Sequence, residues 1–197
     1  RCGAQLPPDL LPANAANVTG YWEPTSVVAL HDALLAEAGS AWDDPTEFPA
    51  AWLASREGQG YVGRLVELLR AQMTGGPLMV VKDPRACRLV PLWRQALACV
   101  HREPAILLVV RHPLEVAASL ERRDGMPVSQ ALLLWLEHVL AAEESTRGDR
   151  RLLVTYDQIL TDWRAVMARV ESALGVALPH RGPEVEAEIA AFLDPSL

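Results

Sequence analysis

Cysteine is scarce: Cys2, Cys87 and Cys99 are the only three in 197 residues, and no two form a C-x-x-C pair. An odd number at such spacing supports neither a disulfide framework nor a zinc site. No metal is expected, and a reduced cytoplasm is the expected compartment. Apolar runs stop short of the roughly 20 residues that span a bilayer, and the sequence does not open on a signal-peptide pattern, so no membrane span is expected. Basic charge is in deficit, with 18 Lys and Arg against 25 Asp and Glu and a net charge of −7. A general nucleic-acid binder needs a basic face and is excluded. A polyanionic nucleotide remains possible where cations are locally focused. The chain has no internal repeat, low-complexity tract or linker, and no G-x-x-x-x-G-K-[ST] phosphate loop.

What is present fits one domain over residues 1–197, since half of the residues are hydrophobic and a sizeable core is affordable at this length. Prolines punctuate the first fifty residues, which read as loops around a helix from Val27 to Ala38 stopped by Gly39. A second helix runs from Glu57 to Met73, amphipathic through Val62, Leu65, Val66, Leu68 and Leu69. Further helices are predicted from about Leu89 to His101, Pro113 to Arg123, Val128 to Ser145, Ile159 to Leu174 and Glu184 to Leu193. The Val128 helix is apolar nearly all round and is expected to be buried. Short aliphatic runs at Leu78–Val81, Ala105–Val110 and Leu152–Tyr156 read as strands. Strands alternating with helices predict an α/β fold, and runs without polar alternation predict a parallel sheet covered on both faces.

The run Ala105–Val110 empties into Arg111-His112-Pro113, delivering a permanent cation to the start of a helix at the sheet edge where open α/β folds place ligands. Pro113 suits the first helical turn. Ser119 adds a hydroxyl seven residues beyond His112, on the same helical face. The run Leu78–Val81 likewise ends in Lys82-Asp83-Pro84-Arg85. One such strand end alone is an ordinary surface ion pair. Two in one short α/β chain point to a shared phosphate-type ligand.

Four motifs, in order, resemble the sulfotransferases that use 3′-phosphoadenosine-5′-phosphosulfate, of the bacterial kind related to the tyrosylprotein enzymes. Arg111, Pro113, Val116 and Ser119 match an R-x-P-x-x-V-x-x-S pattern. Lys82-Asp83-Pro84-Arg85 is similar to the second strand end of that family. Leu152–Leu160 resembles its strand followed by Tyr-Glu-Asp-Leu, and Asn17-Val18-Thr19-Gly20-Tyr21-Trp22-Glu23 its Asn-x-x-Gly-aromatic-aromatic-Glu segment. The resemblance covers nearly the whole chain. It implies a three-layer α/β/α fold with a central parallel sheet, P-loop-NTPase-like, and transfer of a sulfonate from the nucleotide to a hydroxyl or amine acceptor without a metal.

By the same resemblance Glu23 is the base that takes the acceptor's proton and Lys82 stabilises the leaving oxygen. Arg111 and Ser119 hold the 3′-phosphate, and Tyr156 faces the adenine end. Each has a plainer reading. Glu23 precedes the Val27 helix, where a carboxylate favours the helix dipole, Lys82 pairs with Asp83, and Tyr156 packs at a strand end. His31, the rival base, reads as a helix-surface histidine without a partner. Asp83 reads as orienting Lys82 or Arg85, or as a cap. Arg85 and Arg88 read as solvated. Arg122 and Arg123 add field or end their helix favourably. Of the six tryptophans, only Trp22 and Trp42 lie where an acceptor cleft is expected.

One departure stands against the matches. The family's G-x-x-[RK]-S-G-T-[ST] loop, which cradles the 5′-phosphosulfate, is missing from the chain, and Arg1-Cys2-Gly3 reads like the tail of the helix that follows such a loop. The expectation is a partial chain, its end at Asp194-Pro195-Ser196-Leu197 included. The alternatives are a non-catalytic domain that binds a nucleotide or a partner protein, and a small nucleotide-dependent kinase. The acceptor itself is not encoded in any pattern recognised here.

Overall fold

Helices form where apolar residues recur at three- and four-residue spacing, and the computed structural model, which describes residues 2–15, 17–72, 76, 78–180 and 182–193, contains seven α-helices among those residues. Helix α1 (Thr25–Glu37) buries Val27, Leu30, His31, Leu34 and Leu35 along one stripe. Helix α2 (Arg56–Gln72) buries Tyr61, Val62, Leu65, Val66 and Leu69. With Leu92 and Ala96 of α3 (Val90–Cys99) and Leu53, these faces make the largest core cluster. Ser55 Oγ accepts from Gly58 N at 3.0 Å and starts α2. Gly58 is required there, because a Cβ would stand 2.6 Å from the Trp52 carbonyl oxygen. The predicted last residue of α2, Met73, lies outside the described residues, as do Arg1 and residues 194–197. Cys2 and Gly3 are not helical, and Gly3 has φ +86°, so the expected helix tail is corrected there.

Strands β1 (Ile106–Val110) and β2 (Arg151–Thr155) pair in parallel, joined by a crossover through α4 (Pro113–Asp124) and α5 (Val128–Ser145). Ile106 lies opposite Arg151 and Val110 opposite Thr155, so both strands end level. Arg111 and Tyr156 therefore leave the sheet side by side. The protein is thus α/β, with two strands in its sheet among the described residues.

Three expectations need correction. Leu78–Val81 does not join that sheet: Leu78 O accepts from Gln5 N and Val80 N donates to Gln5 O, both at 2.9 Å, giving an isolated parallel bridge of Gln5 with Met79. A single bridge does not sustain a strand, and Val80 is left exposed. The sheet is covered on one face by α6 (Tyr156–Leu174), whose Val166, Val170 and Leu174 pack with Val154. That cover is partial: Leu107 and Val109, paired with Leu152 and Val154 and so on the same face, stay exposed, and Leu153 is exposed on the opposite face. Helix α5 is not buried all round either. Ala131 and Leu134 pack with Ala117 of α4 and Met126, while Leu133, Leu136 and Leu140, at three- and four-residue spacing, form an exposed stripe. Among the described residues no helix is long and apolar enough to cross a membrane. A final helix, α7 (Pro183–Phe192), follows.

Helix α6 starts three residues earlier than predicted, because Thr155-x-x-Gln158 is a capping box. Thr155 Oγ1 accepts from Gln158 N at 3.2 Å, and Gln158 Oε1 accepts from Thr155 N at 3.1 Å. Tyr156 is consequently the first helical residue rather than the last strand residue. Thr155→Ala is expected to cost about 1 kcal/mol in urea unfolding, with Thr155→Ser retaining most of that stability. An unchanged midpoint in Thr155→Ala would show that the box contributes nothing.

Candidate functional site

Glu23 lies in an extended segment immediately before α1, fixed by the neighbouring chain at Asp9–Leu11. Leu11 N donates to Glu23 O at 2.8 Å, Thr25 N to Asp9 O at 2.7 Å and Ser26 N to Asp9 Oδ2 at 2.8 Å. The residue is 7% exposed. It is neither an exposed carboxylate nor a cap, since α1 has no side-chain cap. Lys82, 59 residues away in sequence, donates from Nζ to Glu23 Oε1 at 2.5 Å and to the Tyr21 carbonyl at 3.1 Å. Arg85 Nη1 stands 3.7 Å from Glu23 Oε2. Both carboxylate oxygens thus face a cation. Trp22, between Tyr21 and Glu23, adopts φ +58°, an unfavourable conformation for a bulky side chain, and its ring meets Phe192 edge-on at 6.5 Å.

Behind this pair is a fully buried one. The side chains of His31 and Asp83 are both 0% exposed, with His31 Nδ1 and Asp83 Oδ2 2.8 Å apart. Trp93 Nε1 donates to His31 Nε2 at 3.0 Å. Indole N–H is only a donor, so Nε2 accepts and the ring proton sits on Nδ1, donated to Asp83. His31 is therefore no surface histidine. Its position on the stripe of Val27, Leu30, Leu34 and Leu35 was the sequence signal for burial. Asp83 Oδ1 accepts from Arg85 N at 3.0 Å and Arg85 Nη1 at 2.9 Å, which caps the turn Pro84–Cys87 and holds the guanidinium. Arg85 Nε also donates to Asp32 Oδ1 at 2.5 Å. Burial pushes the Asp83 carboxyl up, but the His31 hydrogen bond and the Arg85 charge and backbone N–H outweigh it, holding it below the usual value.

Neither Arg85 nor Arg88 is solvated as expected. The Arg85 side chain is 15% exposed, and Arg88 is buried, donating to Ala41 O, Thr46 O and Ser40 Oγ and so bolting down the loop that carries Trp42. Residues Asp32, Trp93 and Arg88 carried no motif, and their roles emerge only from packing.

The second cluster stands at the level strand ends. The Arg111 guanidinium lies over the Tyr156 ring, 4.9 Å from its centroid, while Nε donates to Glu115 Oε2 at 2.7 Å. Trp135 Nε1 donates to the Arg111 carbonyl at 3.0 Å. Ser119, half-buried in α4, makes no side-chain hydrogen bond among the described residues. Arg111 keeps four of its five N–H donors for a ligand, and α4 also carries the Ser119 hydroxyl.

No hydrogen bond joins the two clusters among the described residues; α5, which carries Trp135, packs on the turn Pro84–Cys87, and α4 packs on α5. The start of α4 adjoins Arg111, and its end carries Arg123, which stacks over Trp42 at 5.6 Å and pairs with Asp124. The Asp124 bond, then against burial the charges of Asp124, Tyr21 and Glu23, hold the Arg123 guanidinium pKa above its ordinary value. Among the described residues no three His, Cys, Asp or Glu side chains are grouped to hold a metal ion. No protein-family model matches the chain, and no curated protein or solved structure matches it either.

The Asp83 carboxyl sets a pH dependence with a definite sign. Its folded value is depressed, so the stability it contributes is complete above the unfolded value of 3.8 and is lost as pH falls through the folded value. Asp83→Asn is expected to cost about 2 kcal/mol at pH 7 and to flatten the acid limb of a plot of urea stability against pH; an acid limb identical to wild type would remove Asp83 as its source. Close by, burial and the Asp83 charge push the Cys87 thiol up to about 11. Iodoacetamide at pH 8 should therefore label exposed Cys99 before Cys87, as read by peptide mass spectrometry.

Proposed function

We propose that this chain has a three-layer, P-loop-NTPase-like fold and acts as a sulfotransferase, moving a sulfonate from 3′-phosphoadenosine-5′-phosphosulfate to a hydroxyl or amine acceptor. The observation that carries this reading is the pairing of Glu23 with Lys82 at 2.5 Å, which joins a buried carboxylate to the chain's only lysine. The meeting of Arg111 with Tyr156 at the level strand ends supports it, because it offers a guanidinium and an aromatic face at one sheet edge.

In this reading the donor nucleotide supplies an activated sulfonate. Arg111 and Ser119 hold its 3′-phosphate through charge-assisted and hydroxyl hydrogen bonds, and Tyr156 faces the adenine end. Glu23 takes the proton from the acceptor hydroxyl as the new S–O bond forms. Lys82 neutralises the phosphate oxygen released as the old S–O bond breaks. Both oxygens of Glu23 already face cations, and that observation favours a second reading, a domain that binds the nucleotide without transferring sulfonate.

Calorimetry with adenosine 3′,5′-bisphosphate tests both. Wild type is expected to bind and Arg111→Ala to lose about 2 kcal/mol, the worth of a charged hydrogen-bond partner. No binding in wild type would end both readings. Binding with no consumption of the sulfonate donor across a panel of acceptors would select the second.

A further inference from the structure

Glu23 has two basic partners that differ in how they are held. Arg85 is clamped: Nε on Asp32 Oδ1 at 2.5 Å, Nη1 on Asp83 Oδ1 at 2.9 Å, backbone N on the same oxygen at 3.0 Å, and the Asp83 carboxylate anchored in turn by the buried His31–Trp93 pair. Lys82 is held only at its tip, by Glu23 Oε1 and the Tyr21 carbonyl, and its side chain is 51% exposed. A lysine ammonium on a flexible four-carbon stem is a hydrated point charge that rotates readily. An ion pair open to solvent on one side is held by little energy. Removing both cations would strand a buried carboxylate, but removing Lys82 alone leaves Glu23 facing Arg85.

We propose that Lys82 is an exchangeable cation: it neutralises Glu23 in the unliganded protein and is drawn away by an incoming phosphate or sulfonate, while Arg85 stays as the fixed counter-ion that positions Glu23. Anion binding and the unmasking of Glu23 Oε1 are then one event. The carboxylate becomes available to a proton only once the anionic group has arrived, which couples the two halves of the site through a single side chain. Arg85, with Asp83 and His31 behind it, is a positioning residue in this scheme. The functional meaning of the exchange rests on the sulfotransferase reading, but the exchange itself requires only an anion.

Because Lys82 is the only lysine in the chain, labelling with ¹³C-lysine gives one side-chain spin system by NMR. Titration with adenosine 3′,5′-bisphosphate, and separately with inorganic pyrophosphate, is expected to shift the Lys82 Cε–Hε signal, and Glu23→Gln is expected to shift it in the absence of anion. Glu23→Gln removes the competitor for Lys82, so bisphosphate affinity should rise about fivefold, and this gain should vanish in a Lys82→Ala background. A Lys82 signal unmoved by either anion, or a Glu23→Gln gain that persists without Lys82, overturns the exchange. The Arg111→Ala variant in the same titrations separates the two ideas. Bisphosphate binding that depends on Arg111 but leaves Lys82 still overturns the exchange alone. A Lys82 shift with pyrophosphate but no bisphosphate binding supports the exchange and overturns the nucleotide reading.

Discussion

The carboxylate of Asp83 is the group around which the candidate site is built. A buried, ionised carboxylate costs several kcal/mol to desolvate unless its lone pairs are met, and here they are: His31 on one oxygen, the Arg85 backbone and guanidinium on the other. Each partner comes from a different part of the fold. His31 is carried by the buried stripe of α1, its orientation is set by Trp93 of α3, and Arg85 stands in the turn that follows the Met79 bridge. The largest hydrophobic core, which packs α1, α2 and α3 together, thereby places an ionic network at its edge. Apolar packing brings the groups within reach, and the hydrogen bonds then select one geometry among those the packing allows.

This arrangement explains why Glu23 is tolerated at 7% exposure. Arg85 cannot turn toward solvent without abandoning Asp32 and Asp83, so it offers Glu23 a charge that costs little further entropy to hold. Lys82 supplies the second charge from the solvent side. The strained φ of Trp22 belongs to the same device, since the backbone bends there to point the Tyr21 carbonyl at Lys82 and the Glu23 side chain inward.

Much of the architecture was legible in the chain because it depends on local signals. Helical spacing, Pro113 in a first turn and Gly39 as a stop mark where elements begin and end, and the structure follows them. The pairing partner of a short aliphatic run is not local, and Leu78–Val81 illustrates this: its composition says strand, but its only partner among the described residues is Gln5. Burial of α5 failed for a related reason. An apolar helix reads as buried on every face, whereas its actual cover is decided by neighbours whose number the sequence does not count, and Leu133, Leu136 and Leu140 are left outside. Within the site, the strand ends picked out Lys82 and Arg111, and the family resemblance Glu23 and Tyr156. Both missed the support behind them, because Asp32, Trp93 and Arg88 are ordinary residue types at unremarkable positions and acquire meaning only through contacts more than forty residues apart in sequence.

Arginine supplies every other side-chain cation of this chain apart from histidine, and the contrast with its single lysine has a physical basis. Guanidinium groups carry the fixed duties: Arg85 forks across two carboxylates, Arg88 across two carbonyls and a hydroxyl, and Arg111 and Arg123 stand over aromatic rings. Each exploits a planar, multidentate cation that is weakly hydrated and therefore settles where it is placed. The position facing Glu23 from solvent asks for the opposite properties, namely a compact charge, strong hydration and a stem free to rotate. A guanidinium there would bind the carboxylate in two places and hold it closed. The lone ammonium marks the point in the network where a bond has to be given up.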